Sequence, residues 1–190
     1  MQASRQPLTA MSISTASPKR RSTQCIVRRR DAPGAQEEIV LDVGALAAVH
    51  PQQYQLGSWT VSPDNSRVAF TVDFTGDREY RIFVRSIATG ETVDLGIDNA
   101  SSDLVFAADS NALFYVRNEP TTLRSYQVRL HRLGASPNSD VLIYEENDPT
   151  FSVSIGLSKS RKFALVNINE ERTSVSLSAN RSADRRVEGH

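Results

Sequence analysis

Serine, histidine and carboxylate side chains are the groups of this chain that could carry out hydrolysis, and their spacing decides what they do. A serine hydrolase needs a hydroxyl on a strained turn, a histidine base within reach and an acid to orient it. On an α/β scaffold that turn reads Gly-x-Ser-x-Gly. The nearest string is Gly156-Leu157-Ser158-Lys159-Ser160, which ends in serine and lies in a β-rich stretch. It therefore reads as a turn between strands. Of the three histidines, His50 precedes a proline at the end of a helical run, His131 falls on a strand pattern and His190 is the last residue. Neither His-x-x-x-His nor His-Glu-x-x-His occurs, so no metal is expected. Cys25 is the one cysteine, which leaves no intramolecular disulfide, no Cys-x-x-Cys redox pair and no Cys-rich zinc site. No catalytic, cofactor-binding or metal residue is expected, and no cofactor.

Acid pairs stand at Glu37-Glu38, Glu145-Glu146 and Glu170-Glu171. Neighbours on a strand point to opposite faces, so these pairs suit solvated surfaces better than acid/base chemistry. Asp64 and Asp109 recur at one place in a repeat, where aspartate closes a tight turn by bonding its own backbone. Arg28-Arg29-Arg30 could grip phosphate, but no Gly-rich phosphate loop accompanies it, and nucleic acid is not an expected partner. Trp59, Phe70, Phe83, Phe106, Phe114, Tyr115 and Phe163 fall at core-like alternation, and most should fill the gaps between neighbouring sheets.

The elements that position these residues repeat. Trp59-Thr60-Val61-Ser62-Pro63-Asp64-Asn65-Ser66-Arg67-Val68-Ala69-Phe70 reads as strand, tight turn, strand; Leu104 to Tyr115 repeats it, and Val153 to Ala164 does so more loosely. A period of about 45 to 50 residues suits one four-stranded antiparallel sheet, a blade of a β-propeller. The expected fold is all-β: a partial β-propeller of about two and a half four-stranded blades behind a disordered N-terminal leader. Residues 1–24 read as that basic leader and 25–56 as opening strands with a short helix, capped by Asp42 and stopped by Pro51. Residues 57–100 and 101–150 read as blades, 151–179 as an incomplete blade and 180–190 as a disordered tail. In the first repeat Val68, Phe70 and Val72 should face one way and Ala69, Thr71 and Asp73 the other. Propellers usually contain at least four blades, so the chain reads as part of something larger.

Lysine plus arginine and aspartate plus glutamate number 22 each. The cancellation hides polarity: residues 1–30 hold seven basic side chains and no acid, whereas 31–150 hold 18 acids and 8 basic residues. An acidic body favours cationic partners, although most surface carboxylates serve solubility. No run has the roughly 18 to 20 apolar residues of a membrane-spanning helix, so no membrane partner is expected. The expected location is cytoplasmic. The acid-free leader leaves organellar import open beside a plain unstructured extension.

A resemblance follows from the flanking residues. Cys25-Ile26-Val27-Arg28-Arg29-Arg30, Glu37 to Ala47 and Leu56-Gly57-Ser58-Trp59-Thr60-Val61-Ser62-Pro63-Asp64 resemble the N-terminal region of the oligopeptidase B group of the prolyl oligopeptidase family of serine peptidases. The likeness continues through Phe74-Thr75-Gly76-Asp77-Arg78-Glu79-Tyr80, Val105 to Asp109, Leu113-Phe114-Tyr115, His131-Arg132-Leu133-Gly134 and Asp140 to Glu146, and covers about Cys25 to Ser178. It implies a propeller that caps an α/β-hydrolase domain bearing a Ser, Asp and His triad, admits short peptides and, in this group, serves cleavage after Arg or Lys. None of the matching positions is catalytic, so the chain alone is expected to be inactive. A stand-alone interaction module is the alternative, and open blade edges would make either form prone to self-association.

Overall fold

Short β-prone runs separated by turn residues become a succession of antiparallel hairpins. The computed structural model describes residues 11–16, 25–30, 34, 36–48, 53–170 and 174–180. These fall into two compact units, Met1–Pro51 and Gln52–His190.

In the first unit β1 (Met11–Ala16) pairs with β2 (Cys25–Arg30), and β3 (Glu37–Asp42) takes the other edge of β2. Cys25, Ile26, Val27, Val40 and Leu41 are buried. Strand β1 corrects the expectation of a wholly unstructured leader. Its alternation of Met, Ile and Thr with Ser, Ser and Ala is too short to stand out locally, and pairing along β2 makes it a strand. The rest of 1–24 lies outside the described residues. Helix α1 (Val43–Ala48) begins where the Ala45 amide donates to Asp42 Oδ1 at 2.9 Å, the expected cap. Pro51 is outside the described residues.

The second unit is a succession of meanders. The first sheet is β4 (Gln55–Val61), β5 (Arg67–Asp73), β6 (Tyr80–Ser86) and β7 (Thr92–Asp94). The second is β8 (Ala100–Phe106), β9 (Ala112–Asn118), β10 (Ser125–Arg132) and β11 (Val141–Glu145). The third has three strands among the described residues: β12 (Ser152–Leu157), β13 (Phe163–Asn169) and β14 (Ser174–Asn180). Asn180 thus ends a strand, and the remainder of the expected tail is outside the described residues. One bridging pair, Tyr80 at the start of β6 with Ala100 at the start of β8, joins the first two sheets. The first strands of the sheets, β4, β8 and β12, lie side by side, so the sheets fan out from an inner line as propeller blades do.

The blades pack face to face through apolar side chains. Ala69, Ile82 and Val84 of the first meet Leu104, Phe106, Leu113 and Tyr115 of the second. Val105, Phe114, Val116, Val128 and Leu130 on the second blade's other face meet Val153, Ile155, Ala164 and Val166 of the third. A middle blade must bury both faces, which is why β9 is apolar at five consecutive positions, Ala112 to Val116, all buried. In β5 of the first blade both alternating sets from Val68 to Asp73 are also buried, the polar Thr71 and Asp73 among them. Phe163 departs from the aromatic pattern: it is 42% exposed, on the face of β13 opposite to Ala164 and Val166.

The repeated phrase folds into one turn used three times. Asn65, Ser110 and Arg161 each donate an amide hydrogen to the carbonyl three residues back, on Ser62, Ala107 and Ser158. The amides of those same residues bond across the hairpin to Arg67, Ala112 and Phe163. Each turn needs a left-handed residue at its third loop position, and Asn65, Ser110 and Arg161 have φ of 59°, 62° and 58°. Asparagine tolerates that region best, so the first turn is the least strained of the three.

Candidate functional site

The inner strands carry the surface that differs most from an ordinary core. Their sequences are Gln-Leu-Gly-Ser-Trp-Thr-Val in β4, Ala-Ser-Ser-Asp-Leu-Val-Phe in β8 and Ser-Val-Ser-Ile-Gly-Leu in β12. Asp103 is the one charged residue on all three. Alternation along β8 sends Ala100, Leu104 and Phe106 toward the first blade and Val105 toward the third, so Asp103 faces the third blade. There the carboxylate accepts the Ile155 amide of β12, with the Ser102 hydroxyl at a long 3.5 Å. Burial pushes the Asp103 carboxyl above its usual range, and these two donors oppose the shift without overcoming it.

Close packing holds the inner line in place. A Cβ on Gly57 would fall 2.5 Å from Thr71 Oγ1 and 2.6 Å from the Tyr80 ring, so only glycine lets Tyr80 lie against β4 at its irregular register. The buried Thr71 hydroxyl accepts the Ser58 amide at 2.9 Å and donates to the Ser102 carbonyl of the next blade at 3.2 Å. At the turn end the Asp64 amide donates to Ser110 Oγ (3.1 Å) and Arg67 Nη1 to the Ser110 carbonyl (3.0 Å). Arg124 fastens the chain as it passes from the second blade to the third. Its Nη1 donates to the Asp148 and Phe151 carbonyls at 3.1 and 2.8 Å, and its Nη2 to Glu119 at 2.6 Å.

The residues singled out from sequence are dispersed. Ser158 opens the third turn, its Oγ 3.1 Å from Ser160 Oγ and accepting the Phe163 amide at 3.2 Å. Ser62 does the same for Arg67 at 2.9 Å in the first turn. Asp64 Oδ1 accepts the Ser66 amide at 3.0 Å, and Asp109 Oδ1 the Asn111 amide at 2.9 Å, the expected turn role. Glu38 pairs with Arg28 at 2.7 Å beside an exposed Glu37 and Arg29. Glu145 is exposed, and Glu146 accepts the Tyr144 hydroxyl at 2.7 Å. Glu170 is exposed too. His50, Glu171 and His190 lie outside the described residues.

His131 belongs to a grouping that sequence spacing did not disclose. Its Nδ1 lies 2.7 Å from Asp140 Oδ1, both side chains are 1% exposed, and the Tyr115 hydroxyl donates to Asp140 Oδ2 at 2.9 Å. Burial first, and then the Asp140 charge, push the Tyr115 hydroxyl well above its usual range. Closed to solvent, the cluster pins the loop before β11 to the body of the blade and offers no surface to a substrate. Three elements supply its members, so no local motif could have announced it.

Blades fanned about an inner line of strands, each opened by the same turn, define a β-propeller segment. The N-terminal β-propeller domain of prolyl oligopeptidase matches residues 17–184, and the chain belongs to that family. Among curated proteins it is 36% identical over 156 residues to dipeptidyl aminopeptidase BI of Pseudoxanthomonas mexicana, covering 74% of this chain and 21% of that one. It is 31% identical over 142 residues to protease 2 of Moraxella lacunata, covering 74% and 20%. The chain thus spans about a fifth of the length of these relatives. Among solved structures, oligopeptidase B from Leishmania major superposes with a TM-score of 0.77 at 22% identity, over 95% of this chain and 28% of that one. Oligopeptidase B from Trypanosoma brucei, in its closed form with covalently bound antipain, gives 0.73 at 25% identity, over 95% and 28%.

Proposed function

We propose that these residues form the opening blades of a propeller that caps an α/β-hydrolase domain in a longer serine peptidase, where they screen substrates by size and admit short peptides bearing Arg or Lys. The observation that carries this reading is the inner line of β4, β8 and β12 within a segment matched by the family over residues 17–184. The small polar residues on that line, Ser58, Ser101, Ser102, Ser152 and Ser154, make a wall along which an extended peptide can pass. The acidic balance of residues 31–150 suits cationic peptides. As a separate chain the segment is inactive, because Ser158 serves a turn and His131 is sealed against Asp140. A single buried cysteine suits a reducing compartment such as the cytoplasm. The edge strand β11, with Val141 and Leu142 52% and 44% exposed, makes the separate chain prone to self-association.

Exchange of the corresponding blades of Leishmania major oligopeptidase B for this segment tests the gate. The folded chimera should cleave a short Arg-containing reporter and reject the same site within a long unstructured chain. Equal cleavage of both, in a chimera with a cooperative melt, would overturn the size screen. Turnover of the reporter by the separate chain, abolished by Ser158→Ala, would overturn its inactivity.

A further inference from the structure

Asp103 differs from the other carboxylates that hold structural positions in this chain. Asp140 faces His131, Glu119 faces Arg124 and Glu38 faces Arg28. Asp64 is satisfied by Ser62 and Ser66, and Asp73 by the amides of Thr75, Gly76 and Arg78 at 2.8, 2.8 and 2.9 Å. Asp103 is partly buried, receives one backbone amide and one long hydroxyl contact, and has no cationic partner among the described residues. A carboxylate offers about four lone-pair sites, and one left under-used and partly desolvated attracts a cation more strongly than a solvated one does.

Its place in the repeat bears on the same point. The positions equivalent to Asp103, counted back from the shared turn, are Ser58 in the first copy and Ser154 in the third. Serine therefore suffices for the inner strand to form, and a carboxylate there needs another reason. Ser101 and Ser102 beside it and Ser154 on the facing strand are small, leaving the wall around the carboxylate without bulk. Resting on the reading of these blades as a gate for cationic peptides, we infer that Asp103 is the specificity-determining contact of the inner wall, binding the guanidinium or ammonium group of a peptide side chain as the peptide passes along the inner line at β8 and β12.

The test uses the full 190-residue chain and two probes of equal length, acetyl-triarginine amide and acetyl-tricitrulline amide, the second keeping the shape and losing the charge. Binding is followed by calorimetry and by the fluorescence of Trp59, the one tryptophan, on β4. Triarginine should bind and tricitrulline should not. Asp103→Asn, whose amide oxygen can still accept the Ile155 amide, should weaken triarginine about tenfold, as loss of one charge-assisted contact does. Asp103→Ser, carrying the side chain of the other two copies, should do the same and guards against a folding defect in the first variant. Affinity that is unchanged in either folded variant, or a lowered Tm with unchanged affinity, would overturn the inference and assign Asp103 to the seam alone. Binding of neither peptide would overturn it too, while a chimera that still rejected long chains would leave the gate itself standing.

Discussion

The two seams of the second unit use similar apolar surfaces and different polar fastenings. Between the first and second blades the fastening is spread along the seam: Thr71 to the Ser102 carbonyl, the Asp64 amide to Ser110 Oγ and Arg67 to the Ser110 carbonyl. Between the second and third it is concentrated in two ionisable side chains, Asp103 on the inner line and Arg124 on the connecting segment. Hydroxyls and amides lose little when desolvated into a complete hydrogen bond, whereas a guanidinium or carboxylate loses much when a partner is removed. The first seam, where the one guanidinium of Arg67 shares the fastening with neutral donors, should therefore fail more gradually than the second.

Arg124→Met gives the largest expected effect. It keeps much of the aliphatic bulk and removes the donors to Glu119, Asp148 and Phe151, at a cost of about 2–3 kcal/mol by chemical denaturation. Hydrogen exchange should quicken in 146–157 and stay unchanged in 62–73. Protection lost equally in both stretches would show that the seams are not separate. Thr71→Val, nearly isosteric, takes away the acceptor for Ser58 and the donor to Ser102. It should cost about 1–2 kcal/mol and raise exchange along 56–72 first, and a variant as stable as the parent would remove Thr71 from the account of the first seam.

The smallest effect is the pH dependence. Burial opposes ionisation of Asp64 and Asp73, but hydroxyl and amide donors outweigh it and hold both carboxyls below their usual range. A depressed folded-state pKa stabilises the fold above the unfolded-state value, and that contribution disappears as the pH falls through the folded one. Asp103 has the opposite sign: its raised carboxyl favours folding while protonated, and that share is lost as the pH rises through its folded value. Asp73→Asn should shift the acid unfolding midpoint upward by a few tenths of a pH unit, roughly the scale of one partly screened group. Asp103→Asn should flatten the weakly acid limb above it. An acid limb that Asp73→Asn leaves in place would locate the acid-sensitive carboxyls elsewhere.

Most of the fold was legible because its rules are local. The expected strand, tight turn and strand of Trp59 to Phe70 appear as the end of β4 at Val61, the turn closed by Asn65, and β5 from Arg67. Ser62-Pro63-Asp64-Asn65 carries its turn chemistry in four consecutive residues. Strand β1 was not legible, since its six residues gain their conformation from β2. Nor was the exposure of Phe163, which follows from which face of β13 meets the second blade. Asp103 had a visible sign in the sequence, a lone charge where the other copies of the repeat have serine, but its meaning depends on what surrounds it.

The sequence by itself determined the strand periods, the shared turn, the cap at Asp42 and the demand that β9 be covered on both faces. Alternation, φ preference and side-chain reach act over a few residues and need no knowledge of distant chain. Only the tertiary structure decided that Asp140 would meet His131 and Tyr115, that Arg124 would gather carbonyls from the next connection, and that Asp103 would be partly desolvated beside β12. Those outcomes depend on local dielectric and on contacts between elements far apart in the chain, and neither exists until the blades pack.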